Sequence, residues 1–438
     1  MVLLQNMWWL LVLIGVMILI HELGHYWAAR IFDVRVETFS FGFGPRLFGF
    51  RKGETDFRFS AILFGGYVKM AGEQPGDENS GDPRGFLAKP RWQRLIIAFA
   101  GPFMNIVLAI GLVTGLFMYQ YPKMPTTHSP VVGYISPNSA AQKAGVQEGD
   151  RIVQIEDKTN PTWEDIAMVE MSSAGRPLHV ALDRNGSRIA AQVTPILDDR
   201  NGVGIAGWSA ESEIHIAKIF PDMEAAKAGL QKGDILVSVN GKRVLSTPKL
   251  HDVIAEATGR PVDIVYRRDG QDAHVQITPQ KTTMDGQERW MIGVALEPKL
   301  EIVQLSFPDA FRESCKRNVR YAGMIYKMLQ SIVERRMSAK SLEGPIRIAQ
   351  LSGDAAREGA AEFIGLMAMV SLNLAVFNML PIPILDGGVI LLLLIEMIMR
   401  RDLSLAVKET VIKAGFVFLM AVVMFVLYND ITKILTAG

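Results

Sequence analysis

Residues 7–32 read MWWLLVLIGVMILIHELGHYWAARIF, and this stretch decides the class of the chain. Met7–Ile20 carries no charge and runs directly into His21-Glu22-Leu23-Gly24-His25. A helix of this composition is long enough to begin crossing ~30 Å of hydrocarbon. Two histidines and a glutamate inside such a span are costly unless paired or bound to a metal. On a helix, positions i and i+4 share one face, so both imidazoles reach a single zinc ion. Glu22 lies beside them, placed to take a proton from zinc-bound water and return it to a leaving amine.

Three further apolar blocks follow, Leu95–Tyr119, Glu362–Leu385 and Val411–Tyr428, so four membrane spans are expected. The mean hydropathy of +0.19, with 21% charged residues, fits apolar blocks set in an otherwise ordinary composition. A net charge of +1 excludes a strongly basic nucleic-acid binder. The one cysteine, Cys315, excludes an internal disulfide framework and a cysteine-based zinc site. Residues 1–20 lack a basic start and a small-residue cleavage site, so they read as a retained span and not as a signal peptide.

Lysine and arginine set the orientation. Residues 1–20 have none, whereas Arg35, Arg46, Arg51, Lys52, Arg58, Lys69, Arg84, Lys89, Arg91 and Arg94 crowd 31–94. Arg400, Arg401 and Lys408 precede the last span. Residues 31–94 and 399–410 are therefore expected in the cytosol, and both termini and the long stretch 120–360 on the far side. From Met7 to His21 is about 21 Å along a helix, which places the histidines in the cytosolic half of the bilayer.

The long stretch repeats itself. ISPNSAAQKAGVQEGDRIVQI (135–155) matches IFPDMEAAKAGLQKGDILVSV (219–239) at a constant offset of 84 residues. A repeat at domain size means two copies of one small domain. Each reads as strand, short helix ending at Ala-Gly, turn at Gly-Asp, and strand. The pattern resembles PDZ domains of the circularly permuted bacterial type over about 130–210 and 214–298. GVGI (202–205) and MIGV (291–294) sit where that family binds a peptide as an added strand, which makes Gly204 and Gly293 groove residues.

Catalytic zinc takes three protein ligands and keeps one position open. The third is sought in Asn378-Met-Leu-Pro381-Ile-Pro383-Ile-Leu-Asp386-Gly387, at the end of the third apolar block. Its prolines end or kink the helix and free backbone groups that lipid cannot satisfy, which implies a cavity. Asp386 lies at that broken end, in the same leaflet as the histidines. Glu396, ten residues on, reads as part of a separate helix and outside the site.

HELGH in the first span, NxxPxPxLDG in the third and the PDZ repeats between them resemble the site-2 protease family of intramembrane zinc metalloproteases, of the bacterial RseP type. FGFGP (41–45), GGYVKM (65–70) and Gly101-Pro102-x-x-Asn105 are also similar to it. The resemblance implies one catalytic zinc ion held by His21, His25 and Asp386, with Glu22 as the base and Asn378 holding the substrate backbone or polarising its carbonyl. Pro381, Pro383 and Gly66 join Asn378, Gly204 and Gly293 as expected substrate contacts. It implies a multi-pass α-helical protein of the bacterial inner membrane, with a membrane-associated β-loop and two tandem periplasmic PDZ domains. The implied substrates are single-span membrane proteins, of the anti-sigma-factor type, and leftover signal peptides. Peptide C-termini or segments are implied as partners of the PDZ domains.

The expected order is a first span with HExxH (1–31), the β-loop region (32–94), a second span (95–119), PDZ domains at 120–210 and 211–298, and an amphipathic connection (299–360). A third span (361–386), a cytosolic-side helix and loop (387–410), a fourth span (411–430) and a tail (431–438) complete it. Residues 34–70 alternate apolar and polar side chains between glycines and read as strands. Beside a zinc site, their edge would satisfy the backbone of a locally unwound substrate. Two other functions fit some of these residues. A non-catalytic PDZ scaffold of the membrane leaves Glu22 without a purpose. Against a metal or ion transporter, no inverted repeat relates the first two spans of this sequence to the last two.

Overall fold

The computed structural model describes residues 2–73, 82–119, 121–123, 130–198, 202–284, 287–298, 301–334, 337–338 and 344–437. Among them, four helices are long and apolar enough to cross a membrane. The chain divides into two compact units, one built on the apolar helices and one on residues 122–303.

In the first unit, α1 (Val2–Ile31) carries HELGH in its last third. A β-hairpin follows, β1 (Val36–Lys52) and β2 (Thr55–Met70). The hairpin is bent back on itself, so that Phe39 has Val68 on one side and Phe57 on the other, and Phe41 has Gly66 and Phe59. Residues 66–70 thus form an edge, and no third strand pairs with it among the described residues. Phe43, Leu47, Phe48 and Phe50 are exposed. The next helix, α2 (Arg91–Tyr119), packs closely on α1: a methyl group on Gly24 would lie 2.3 Å from the Ala100 carbonyl oxygen.

The second unit holds two lobes. The first includes the short helix α3 (Ala140–Lys143) and α4 (Trp163–Met171); the second has the matching α5 (Glu224–Lys227) and α6 (Thr247–Ala257). The offset of 84 extends through their cores. Val132, Ile152, Ile155, Ile166, Leu178, Val180 and Val193 are buried in the first lobe. Ile216, Leu236, Val239, Leu250, Val262, Ile264 and Ile277 are buried in the second. An ion pair repeats as well. Arg184 donates to both oxygens of Asp150 at 2.7 and 2.8 Å and to the Gly145 carbonyl; Arg268 does the same to Asp234 and Gly229.

One expected equivalence is corrected. Gly293 corresponds to Gly207, not to Gly204. Gly207 and Gly293 both have positive φ, 85° and 92°, and both abut the residue that starts the short helix, Ser139 or Met223. Their carbonyls accept from Ser136 and Phe220, again 84 apart. Gly204 is instead wedged under α4, where a methyl group would lie 2.5 Å from the Glu170 carbonyl oxygen. The cleft of this lobe, about 310 Å³, lies on the other side, between Ile196, Leu197, Ile205 and Gly207.

The expected connection 299–360 contains two helices, α7 (Phe307–Val333) and α8 (Pro345–Glu358). The start of α7 lies along α2, with the Ser314 hydroxyl donating to the Ile110 carbonyl at 2.8 Å. Arg357 of α8 bonds Asn6 of α1 at 3.0 Å. The expected third span is helical only as far as Asn378: α9 (Ala360–Asn378) ends before Pro381 and Pro383, and a separate helix, α10 (Asp386–Met399), begins at Asp386, against the helix expected over 387–410. The last helix, α11 (Leu405–Ala437), starts earlier than position 411 and runs through the expected tail. It is pinned near its end by Asp430, which accepts from the N–H groups of Gly344, Ile346 and Arg347 at the start of α8.

Candidate active site

Three donor atoms converge where α1, α2 and α10 meet. His21 and His25 lie one turn apart on α1, with Nε2 atoms 3.2 Å apart. Asp386, the first residue of α10, brings one carboxylate oxygen to 3.1 Å from His21 Nε2 and the other to 3.4 Å from His25 Nε2. Donors bound tetrahedrally at ~2.0–2.1 Å lie about 3.3–3.4 Å from one another, so this triangle has the size of a zinc site.

The histidines are held from behind. His25 Nδ1 lies 2.8 Å from the Ile97 carbonyl, which makes it the N–H nitrogen and leaves the Nε2 lone pair facing the centre. The Asn105 side-chain Nδ2 lies 3.2 Å from His21 Nδ1, and its Oδ1 is buried without a partner among the described residues. Turning the amide over would bring its oxygen to the ring, where it would accept that N–H and free Nε2 in the same way. Gly101 makes the room. A methyl group there would lie 2.3 Å from His25 Nε2 and 2.8 Å from His21 Nε2.

Asp386 reaches the centre through an irregular segment. Residues 379–385 fold back over the start of α10, and Ile384 has φ +86°, a strained value for a β-branched residue. Gly387 and Gly388 permit the fold-back: methyl groups there would lie 2.2 and 2.4 Å from the Leu380 and Ile382 carbonyl oxygens. Pro383 packs on Gly415 of α11, and Asn378 is the half-buried last residue of α9. The structure thus gathers His21, His25 and Asp386, and sets Asn378, Pro381 and Pro383 on the adjoining segment. Gly66 stands at the hairpin edge next to the half-buried Glu22: its added methyl would lie 3.1 Å from Glu22 Cγ. Gly204 and Gly293 belong to the other unit.

Comparison with known proteins gives the family. Peptidase family M50 matches residues 9–422. The chain belongs to this family. A relative from Xylella fastidiosa, provisionally named a zinc metalloprotease, is 31% identical over 98% of this chain and 99% of its own. The regulator of sigma E protease of Haemophilus influenzae is 29% identical over 97% of this chain and 98% of its own. The regulator of sigma-E protease RseP of Salmonella typhimurium is 28% identical over the same shares. A solved PDZ domain of an SdrC-like protein from Listeria monocytogenes covers 20% of this chain and 90% of its own, at 21% identity and a TM-score of 0.18. Two supporting residues had no assigned role in the sequence, Gly101 and Asn105. The signal was present, since both sit in an apolar span at a spacing of four, one helical face.

Proposed function

We propose that this chain is an intramembrane zinc endopeptidase that cleaves single-span membrane proteins within or near their hydrophobic segment. The observation that carries this reading is the donor triangle of His21, His25 and Asp386, set between helices apolar enough to span a membrane. Zinc bound by these residues would act as a Lewis acid, lowering the pKa of a coordinated water toward neutrality and polarising the scissile carbonyl. Glu22 takes the proton from the attacking water and delivers it to the leaving amine. Asn378, on the broken end of α9, holds the substrate backbone or its carbonyl, beside Pro381 and Pro383.

A helical substrate hides its amides in its own hydrogen bonds, and exposing them in lipid is costly. The edge at residues 66–70 offers a partner strand beside Glu22, so an unwound segment pairs there while its amide reaches the centre. Gly66 keeps this approach close. The two lobes of the second unit are read as tandem PDZ domains that select by peptide contact, at Gly293 and at the cleft beside Gly207, with Gly204 supporting that strand from behind. Positive charge in 31–94 and 399–410 places those segments in the cytosol, with both termini and the lobes in the periplasm of a bacterial inner membrane. Because two relatives are named regulators of sigma E protease, anti-sigma-factor-type proteins and remnant signal peptides are the proposed substrates.

The test is cleavage of a model single-span peptide by the purified protein, with and without a zinc chelator. The chelator should stop cleavage, and readdition of zinc should restore it. Cleavage that survives complete removal of zinc rejects the proposal.

A further inference from the structure

We infer that Arg94 and Glu396 are positioning residues that set the register of α10 on α2 and thereby place Asp386. The inference rests on Asp386 being the third metal ligand.

On α2, Arg94, Ala98, Gly101 and Asn105 are all buried, and their spacing of four, three and four puts them on one face. One end of that face, at Gly101 and Asn105, backs the two histidines. The other end carries Arg94, only 4% exposed, facing Glu396 of α10, which is 0% exposed. Arg94 Nη2 lies 4.0 Å from Glu396 Oε2 and 3.4 Å from Asp402 Oδ1. Glu396 Oε1 accepts from Lys408 at 2.6 Å and from the Leu403 N–H at 3.0 Å. Arg91 donates to Asp402 at 3.1 Å. Arg94 Nε and Glu396 Oε2 have no hydrogen-bond partner among the described residues.

Such a cluster is a poor way to stabilise a helix pair. Taking both charges out of water is expensive, and apolar residues of similar volume commonly do as well or better. Its best-attested use is to fix a register, and α10 needs one. Between its ends it reads Val-Ile-Leu-Leu-Leu-Leu-Ile, a run whose side chains are nearly interchangeable. A slip by one residue would cost this surface little. It would move Asp386 by about 1.5 Å along the axis and turn it by about 100°, whereas metal–ligand distances tolerate about 0.2 Å. Glu396 stands ten residues beyond Asp386, about 15 Å away along the helix. It therefore acts outside the ligand shell, through the position of the whole helix.

The test uses the full-length protein in detergent. Zinc affinity is read by chelator competition and thermal stability in parallel. Glu396→Gln should weaken zinc binding about tenfold, the low end of the cost of losing a group bonded directly to a ligand. The double variant Arg94→Met with Glu396→Leu removes the two most buried charges but leaves Lys408 and the Leu403 N–H without their acceptor, so its melting temperature is read to show that it folds. This variant should bind zinc at least about tenfold more weakly, because the register is no longer specified. Wild-type zinc affinity in the folded double variant would overturn the inference and reduce the pair to a structural role. Asp386→Ala separates the two levels. If it loses zinc while the double variant keeps it, only the positioning role fails; if it also keeps zinc, the ligand assignment fails.

Discussion

Gly101→Ala should act against the usual sense of a glycine-to-alanine change. Inside a helix, alanine is ordinarily favoured by up to about 1 kcal/mol. At Gly101 the new methyl carbon would stand 2.3 Å from His25 Nε2, 2.6 Å from His25 Cε1 and 2.8 Å from His21 Nε2. Ordinary contact begins near 3.4 Å, so the His25 ring must retreat by about 1 Å or α2 must move away from α1. Overpacking of this kind costs roughly 1–3 kcal/mol, which cancels or exceeds the helix gain. The larger effect falls on the metal. A 1 Å displacement is several times the tolerance of a ligand distance, and misplacement on that scale costs on the order of 10²-fold in rate. Zinc affinity, cleavage of a single-span peptide and thermal stability are measured for Gly101→Ala beside Gly111→Ala. Gly111 lies on the same helix with no described atom within 4 Å of an added methyl, so its variant should keep zinc and activity. Normal zinc affinity and cleavage in Gly101→Ala would refute the packing argument.

Glu22→Gln should retain zinc and lose activity by about 10²–10⁴-fold, as measured by metal analysis and cleavage; Asp386→Ala should lose both. Ile205→Arg, which blocks the first-lobe cleft, should leave cleavage of a short tail-less peptide unchanged and relax discrimination against substrates with bulky exported domains. Loss of minimal-peptide cleavage in that folded variant would rule out a filtering role. Burial pushes the Asp150 carboxyl up, but the Arg184 guanidinium and the Gln147 N–H outweigh it and hold the group below its ordinary value. A depressed carboxylate adds stability that is present above its unfolded value near 3.9 and lost as pH falls through the folded value. Arg184→Met should therefore lower the melting temperature at pH 7, by a difference that narrows below about pH 4.

The parts legible in the sequence are those that carry local chemistry or periodicity. HELGH on an apolar helix announces two imidazoles on one face, and the prolines at 381 and 383 announce the helix break that delivers Asp386. The repeat was visible over 21 residues, and the structure extends it through both cores because buried positions tolerate exchange among Val, Ile and Leu. What stayed hidden depends on contacts distant in sequence. Arg184 and Arg268 are ordinary strand residues until each closes on an aspartate 34 positions earlier. Gly204 matches Gly293 by local pattern, yet backbone conformation and contacts assign that place to Gly207. Glu396 reads as a stray charge in a leucine-rich helix, and only the fold shows that it is buried, bonded to Lys408 and facing Arg94 of α2.

The most direct test titrates zinc into chelator-treated protein while following cleavage of a single-span peptide. The account predicts no activity at the start, a linear rise, and a break at one zinc per chain. Cleavage without zinc, or a site that fills without restoring cleavage, would contradict it.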